Sequence, residues 1–263
     1  MHIDLRGKSA LITGGSRGIG RAVALRLAGC GANVVICGRT RASLDATITA
    51  LREHGVEAHG IIADVSVPDE ITALVEEAHA HTGGPDILIN NAVTSTSARF
   101  DELSDDAFRY HIDVKLMAYI RVARLVLPHM AARGGGRIVN IGGMTARIVA
   151  PLRMTNGVVN AGVANFTKQF AGYAARHQVT VNCVHPGYTA TERVEQIFDA
   201  EAERTGQTRD AIIAERTAEI PLGRLVQPDD LAHTVAYFCS TAAGMVTGQC
   251  LAVDGGSGQA IAY

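Results

Sequence analysis

A short stretch near the N-terminus combines four glycines with a serine and an arginine, TGGSRGIG at Thr13–Gly20. It follows a short apolar run and opens a helical pattern. Glycines in such a turn let the backbone approach a ligand closely, and the amide groups at a helix N-terminus bind phosphate. The TGxxxGxG spacing in this context predicts a loop that holds the pyrophosphate of a dinucleotide.

The residues after the second apolar run indicate which dinucleotide binds. An acid that bonds the ribose 2′-hydroxyl usually stands about 20 residues beyond the glycine loop. Here the sequence is CGRTR, with Gly38 at the acid's place and Arg39 next. A guanidinium suits a 2′-phosphate, so Arg39, together with Arg17 in the loop, favours NADP(H) over NAD(H). The alternative is that Arg39 is simply a solvated residue at a strand end.

Short apolar runs alternate with longer helical patterns along the whole chain. Parallel sheets covered on both faces give this pattern. The predicted strands are 9–13, 33–37, 58–63, 86–90, 137–141, 179–184 and 249–253. The predicted helices are 18–29, 41–54, 68–82, 104–132, 155–177 and 228–240.

The fold class predicted from this alternation is α/β, a Rossmann-type doubly wound parallel sheet of seven strands with helices on both faces. We expect a single domain over residues 1–263. The segment 192–220 is charged and amphipathic and has no strand of its own. It predicts a helical flap over the carboxyl ends of the strands, where ligands bind in such sheets.

Composition excludes several classes of function. The net charge is −2 and no basic patch stands out, so no nucleic-acid partner is expected. No run of 18 apolar residues indicates a membrane span, and the first residues lack the long apolar run of a signal peptide. The five cysteines show neither CxxC nor zinc-type spacing. They predict reduced thiols, no metal site and a cytoplasmic protein.

The motifs together resemble the short-chain dehydrogenase/reductase family over essentially the whole chain. The resemblance rests on TGGSRGIG, on Asp64-Val65, on Asn90-Asn91-Ala92 (with Val93 replacing a glycine), and on two longer segments. These are VNCVHPGYTAT and PLGRLVQPDDLA…VTGQCLAVDGG. The resemblance implies the strand order 3-2-1-4-5-6-7 and a homo-oligomer, either a tetramer or a dimer; a hetero-oligomer with an active relative remains open.

The glycine loop and the family motifs together assign a set of cofactor-binding residues. The resemblance places residues at both ends of the cofactor. Asp64-Val65 is expected beside the adenine, and Pro186-Gly187 with the threonines that follow is expected at the nicotinamide side. The full set is Gly14, Ser16, Arg17, Gly18, Ile19, Gly20, Arg39, Asp64, Val65, Asn91, Ala92, Asn160, Pro186, Gly187, Thr189 and Thr191.

The same resemblance locates the family's catalytic Asn, Ser, Tyr and Lys, and all four are replaced. GRIVNIGG resembles GRIVNISS and places the serine position at Gly143, while NAGVANFTK places the lysine position at Asn160. The tyrosine position of YxxxK is then Asn156, and the usual serine-to-tyrosine spacing reaches the same residue. IDVKLMA places the asparagine position at Lys115. Tyr188, beside Pro186-Gly187, is the tyrosine expected to face the substrate.

Three interpretations of this set remain open. In the first, the protein reduces an activated C=C bond (an enoyl thioester or enone) or a C=N bond. Lys115 is then the electrophile or a contact of the cofactor ribose, and Asn156 and Asn160, which share a helical face, orient the ligand by hydrogen bonds. In the second, the protein is a catalytically inactive, NADP(H)-binding regulatory or scaffold subunit.

In the third interpretation, other cleft residues rebuild an acid–base set for carbonyl reduction or for non-redox chemistry. The candidates are Thr145, Arg147, Arg153, Thr155, His185 and Tyr188. The expected partner in the catalytic cases is a small-molecule substrate, with an acyl thioester as one class. Arg147 and Arg153 suit an acidic substrate, for example one that carries the phosphate of coenzyme A or of an acyl carrier.

Overall fold

The computed structural model describes residues 3–258. Its centre is a parallel sheet of seven strands in the order β3-β2-β1-β4-β5-β6-β7, which confirms the predicted fold class and strand order. The strands are β1 (Ser9–Ile12), β2 (Asn33–Gly38), β3 (Ala58–Ile62), β4 (Ile87–Asn90), β5 (Gly136–Ile141), β6 (Val179–Pro186) and β7 (Cys250–Val253).

Helices cover both faces of this sheet. They are α1 (Gly18–Gly29), α2 (Arg41–Arg52), α3 (Pro68–Thr82), α4 (Asp105–His111), α5 (Ala118–Ala132), α6 (Met154–Ala174), α7 (Glu192–Thr205), α8 (Arg209–Ala218) and α9 (Pro228–Cys239). The alternation of strand side chains separates two cores: α1, α2 and α9 pack on one face, and α3, α5 and α6 pack on the other.

The long helix predicted over 104–132 is built in three parts. A π-helical turn, Ile112–Met117, joins α4 to α5. Such turns widen a helix locally and are frequent at functional sites. Here the turn carries Lys115, and the Tyr119 hydroxyl that follows it donates to the Ile141 carbonyl across 3.0 Å, tying the helix to the end of β5.

The charged segment predicted as a helical flap contains two helices, α7 and α8. Side chains of Thr191 and Thr208 accept hydrogen bonds from backbone amides and cap their first turns. Phe198 and Ile212 are the apolar residues that these helices bury. Within residues 3–258, no helix has the length and apolar character needed to cross a bilayer.

Candidate functional site

The glycine loop between β1 and α1 is fastened to the end of β4. The Asn91 side chain donates to the carbonyls of Thr13 and Gly14 across 3.1 and 2.9 Å. Gly14 and Gly18 have positive φ angles of 64° and 52°, which favour glycine. A Cβ at Gly20 would overlap the Gly14 carbonyl oxygen. The loop therefore requires glycine at these positions, and it leaves the amides at the start of α1 open toward a ligand.

A cavity of about 910 Å³ extends from this loop across the carboxyl ends of the strands. Most of the predicted cofactor residues lie on its wall. They are Gly14, Ser16, Arg17, Gly18, Ile19, Gly20, Arg39, Asp64, Val65, Asn91, Ala92 and Thr191. Asn160, Pro186, Gly187 and Thr189 lie outside that wall in this structure.

The two predicted phosphate ligands lie at the rim of the cavity. Arg39 is exposed, and its guanidinium lies 3.8 Å from the Asp64 carboxylate. Burial alone would raise the pKa of Asp64, but hydrogen bonds from Ser66 and the charge of Arg39 outweigh it, so the pKa is lowered. Arg17 lies 3.8 Å from Glu192 on α7. Both guanidinium groups are therefore accessible to an anion.

The cavity wall fits NADP(H). The glycine loop provides a cradle that side chains would fill, and Arg39 lies exposed on the same wall, at the position predicted for a 2′-phosphate. A further observation concerns Asn160, which is 4% exposed: its Oδ1 has no hydrogen-bond partner within residues 3–258. An unpaired buried acceptor is costly, and a ribose hydroxyl is a donor of the kind it lacks.

The four positions that the sequence analysis assigned to the family's catalytic set lie around the loop after β5, here called the floor; Gly143, Asn156 and Asn160 are not on the wall of the cavity. The Asn160 amide donates to Thr145 Oγ1 across 2.8 Å. Asn156 accepts from Ser95 Oγ at 3.3 Å and donates to the Thr94 carbonyl at 3.4 Å. Both carboxamides are thus buried and held in hydrogen bonds, and Asn156 lies within the first turn of α6.

Lys115 lies beneath this floor and not on the cavity wall, where the sequence analysis expected it. Its side chain is buried, and Nζ donates to the Gly142 carbonyl across 2.9 Å. Burial lowers the pKa of Lys115 from 10.5 to about 7; the charge of Arg193 acts in the same direction, whereas Cys183 opposes it. Lys115 therefore positions the Gly142–Gly143 backbone and does not touch the cavity.

Gly143 and Asn160 are sterically linked. A Cβ at position 143 would lie 2.5 Å from Asn160 Nδ2 and 3.1 Å from its Cγ. Any side chain at 143 therefore competes with the carboxamide of Asn160. The residue types at positions 143 and 160 are therefore not independent of each other.

Of the residues proposed for a rebuilt acid–base set, Arg153 and Tyr188 line the cavity. Thr155 is buried, and Arg147 donates to the Cys250 carbonyl across 2.6 Å. His185 is buried, with Nδ1 accepting from the Gly143 amide at 3.0 Å. Of these three, His185 supports the floor from below, and Thr145, which accepts from Asn160, also lies off the cavity wall.

Sequence reasoning missed Arg193, which lies in the first turn of α7 and lines the cavity. Burial lowers the pKa of Arg193, and the charge of nearby Arg153 lowers it further. Neither arginine forms an ion pair with any residue of the described range 3–258. The signal in the sequence was a basic residue two positions after Thr191, at the start of the segment expected to cover the ligand.

Replacing Arg39 with alanine should weaken NADPH binding about 10- to 100-fold, because a hydrogen bond to a charged group contributes about 1.5–3 kcal/mol. NADH binding should stay within about twofold, since NADH lacks the phosphate. Fluorescence titration of both cofactors measures this. Arg41→Ala, an exposed arginine off the cavity wall, is the matched control. Equal losses of NADPH and NADH affinity in Arg39→Ala would contradict the assignment.

The steric link predicts a double-mutant cycle. Gly143→Ala should lower the free energy of unfolding by about 1–3 kcal/mol, as overpacking usually does. In an Asn160→Ala background the same change should cost much less, which gives a coupling energy of about 0.5–3 kcal/mol. Urea denaturation of the four proteins measures it. Additive effects would show that the two residues do not compete for space.

The low pKa of Lys115 predicts a pH-dependent contribution to stability. Between about pH 7 and 10 the unfolded chain keeps the lysine proton while the folded chain has lost it, so stability rises with pH. The difference in free energy of unfolding between the native protein and Lys115→Met should therefore shift in favour of the native protein as the pH rises through this window, by at most about 1.4 kcal/mol per pH unit. Exposed Lys168 provides the control, Lys168→Met. A difference that stays constant with pH would refute the prediction.

Comparisons with known proteins agree with this geometry. Residues 14–258 match the family described as Enoyl-(Acyl carrier protein) reductase. The short-chain reductase protein NovJ of Streptomyces niveus is 36% identical over 248 residues, 94% of this chain and 92% of that protein. The 3-oxoacyl-[acyl-carrier-protein] reductase FabG of Pseudomonas aeruginosa is 32% identical over 254 residues, 97% of this chain and 98% of that protein.

Solved structures give the same result. Actinorhodin polyketide ketoreductase with NADPH superposes with a TM-score of 0.92 at 35% identity, covering 96% of this chain and 98% of that one. L-sorbose reductase from Gluconobacter frateurii, solved with NADPH and L-sorbose, has a TM-score of 0.95 at 30% identity, covering 99% and 100%. With the sheet order, the glycine loop and these matches in agreement, the chain belongs to the short-chain dehydrogenase/reductase family.

Proposed function

We propose that this protein is an NADPH-dependent reductase of an activated C=C or C=N bond, with an enoyl thioester or enone as the favoured substrate. One observation carries the proposal. At the positions that the family resemblance assigns to proton delivery, the chain carries a glycine, two buried carboxamides that lie off the cavity wall, and one ionisable residue, Lys115, which is buried below them. By contrast, most of the residues predicted to bind the cofactor line the cavity.

The chemistry follows from what these groups can do. Reduction of a ketone leaves an alkoxide that needs a proton, and the carboxamides of Asn156 and Asn160 donate hydrogen bonds but do not ionise. Loss of a positioned acid costs about 10²–10⁴ in rate. When bound, NADPH supplies the hydride. For an enoyl thioester the resulting enolate is delocalised, so hydrogen-bond donors suffice to stabilise it while water protonates carbon. An iminium substrate needs no proton at all.

The residues on the substrate side of the cavity supply such donors. Tyr188 lies beside α7, with its ring 5.8 Å from that of Phe198. Arg153 and Arg193 also line the cavity. The positive charges of these two guanidinium groups favour an anionic substrate. A thioester of coenzyme A or of an acyl carrier, which contains phosphate, is such a substrate. The family description and the FabG relative, both named for acyl-carrier-protein chemistry, support the same class.

Two other functions remain as alternatives, and the experiment described next distinguishes them. Carbonyl reduction with Tyr188 as the acid is favoured by the position of its ring on the cavity wall. A catalytically inactive, NADP(H)-binding subunit is favoured by the hydrogen bonds that already engage Asn156 and Asn160.

The experiment is a panel of enoyl-CoA, enone, cyclic imine, 3-oxoacyl-CoA and simple ketone substrates, with NADPH absorbance as the readout. We expect kcat/KM for an enoyl thioester, enone or imine to exceed that for any ketone by about tenfold or more, because the missing acid disfavours ketones. Ketone reduction that Tyr188→Phe abolishes, and that Tyr173→Phe on the exposed face of α6 leaves unchanged, would favour the rebuilt carbonyl reductase. Tight NADPH binding without turnover of any substrate would favour the inactive subunit.

Arg193 distinguishes substrates with and without a phosphate within this panel. Arg193→Ala should raise KM for an enoyl-CoA about tenfold, and it should leave KM for the uncharged N-acetylcysteamine thioester unchanged. Arg209→Ala is the control, because Arg209 lies on α8 and pairs with Asp199 at 3.2 Å. Equal effects on the two thioesters would show that Arg193 does not bind the phosphate.

A further inference from the structure

A cluster of two thiols and an imidazole lies directly below the floor of the site. Cys183 and His185 alternate on β6, and Cys250 on β7 is the register partner of Cys183. Their sulfur and ring-nitrogen atoms all lie within 4.8 Å of one another. Cys183 and His185 are fully buried, whereas Cys250 is half-buried on the last strand of the sheet. The spacing of the cysteines along the sequence gave no indication of this cluster.

The hydrogen bonds of His185 decide what this cluster can bind. Nδ1 accepts a hydrogen bond from the Gly143 amide at 3.0 Å, so in the neutral ring the proton is on Nε2. Nε2 faces the sulfur atoms and lies 3.9 Å from Cys183 Sγ. A metal would need the Nε2 lone pair, and metal-bound histidines donate their other N–H. The arrangement instead suits an N–H that stabilises a thiolate.

The two sulfur atoms are placed in different electrostatic environments. The Cys183 thiol, the His185 ring and the charge of Arg147 lower the pKa of Cys250 against the effect of its burial. The hydrogen bond to Cys250 and burial raise the pKa of Cys183. Cys250 is also the more exposed of the two sulfurs and lies on the strand whose carbonyl Arg147 contacts, so it is the sulfur better placed to react, whereas Cys183 is fully buried.

The backbone allows the two sulfur atoms to be joined. Neighbouring strands of a sheet lie about 4.8 Å apart, and disulfides span Cα distances of about 4.4–6.8 Å. Since Cys183 and Cys250 are in register on adjacent strands, both side chains leave the sheet on the same face. A bond between them closes without separating the strands.

We propose that Cys250 and Cys183 form a reversible dithiol–disulfide pair, in which Cys250 is the thiolate that reacts first with hydroperoxides. With hydrogen peroxide, Cys250 Sγ attacks one peroxide oxygen, the O–O bond breaks and hydroxide leaves, which gives a sulfenic acid; an organic hydroperoxide would release an alkoxide in its place. Cys183 then loses its proton to that hydroxide and attacks Cys250 Sγ; the S–S bond forms, the S–O bond breaks and a second hydroxide leaves, which solvent protonates. In total, two thiols lose two electrons and one hydroperoxide is reduced.

The pair is mechanically connected to the catalytic floor. A Cβ at Gly142 would overlap the His185 ring and lie 3.0 Å from Cys183 Sγ, so this backbone rests on the cluster. The Gly142 carbonyl also accepts the bond from Lys115. Formation of a disulfide removes the thiolate that accepts the hydrogen bond of His185 Nε2–H. Because the other nitrogen of this ring accepts from the Gly143 amide, a change at the sulfur atoms reaches the loop that carries Gly143.

The test treats the full-length protein with hydrogen peroxide near neutral pH, followed by alkylation and peptide mapping. We expect a peptide pair linked through Cys183 and Cys250 that dithiothreitol separates. Cys30, Cys37 and Cys239 should remain reduced, because burial raises the pKa of all three, of Cys37 to about 11 and of Cys239 to about 12. Before oxidation, Cys250 should be alkylated about tenfold faster than these three, because the thiolate is the nucleophile.

Three controls make the outcome decisive. Cys183→Ser should stop at a sulfenic acid on Cys250 that dimedone traps, and Cys250→Ser should leave Cys183 reduced. Cys239→Ser, a third buried cysteine, should behave as the native protein. The proposal is overturned if Cys250 is oxidised without forming the disulfide, if it reacts no faster than the other cysteines, or if the purified protein holds stoichiometric zinc at the cluster. None of these readouts depends on which substrate the enzyme reduces.

Discussion

The attachment of the glycine loop to the end of β4 is the constraint on which the cofactor cavity depends. The Thr13 hydroxyl accepts hydrogen bonds from the backbone amides of Asn91 and Ala92 at 2.9 and 3.1 Å. The Asn91 side chain in turn donates hydrogen bonds to two carbonyl groups of the loop. These bonds fix where α1 begins and which way its first amides point. Because β1 and β4 are neighbours in the sheet, the cradle is built on two rigid strands and not on a free loop.

The floor of the site is a second rigid unit, and it is supported from several sides. Lys115 bonds to the Gly142 carbonyl, His185 accepts from the Gly143 amide, and Asn160 fills the space above Gly143. These residues thus make a compact polar structure with hydrogen bonds of its own. The glycine loop and this floor are therefore held by different strands and by different hydrogen-bond partners.

The sequence predicts most of the sheet, because buried parallel strands are short apolar runs and each is followed by a recognisable helix. It also predicts the cofactor wall, where Gly14, Gly20 and Arg39 have local signatures. It does not predict that Lys115 points below the floor, because a π-helical turn changes the direction of a side chain without changing the apolar pattern. The sequence does not predict the position of Arg193 in the cavity or the Cys183–Cys250 pair for another reason: each depends on contacts between segments that are distant along the chain.

The competition between Gly143 and Asn160 for the same space restricts how this site can change. With Asn160 in place, a serine at 143 must displace a buried carboxamide, and with a serine in place the carboxamide has no room to settle. A side chain at position 143 therefore carries a cost as long as Asn160 is present, whatever the activity under selection. An engineer who wishes to introduce one must change both residues together, and Asn156, the position that the family resemblance assigns to the tyrosine, needs a substitution of its own.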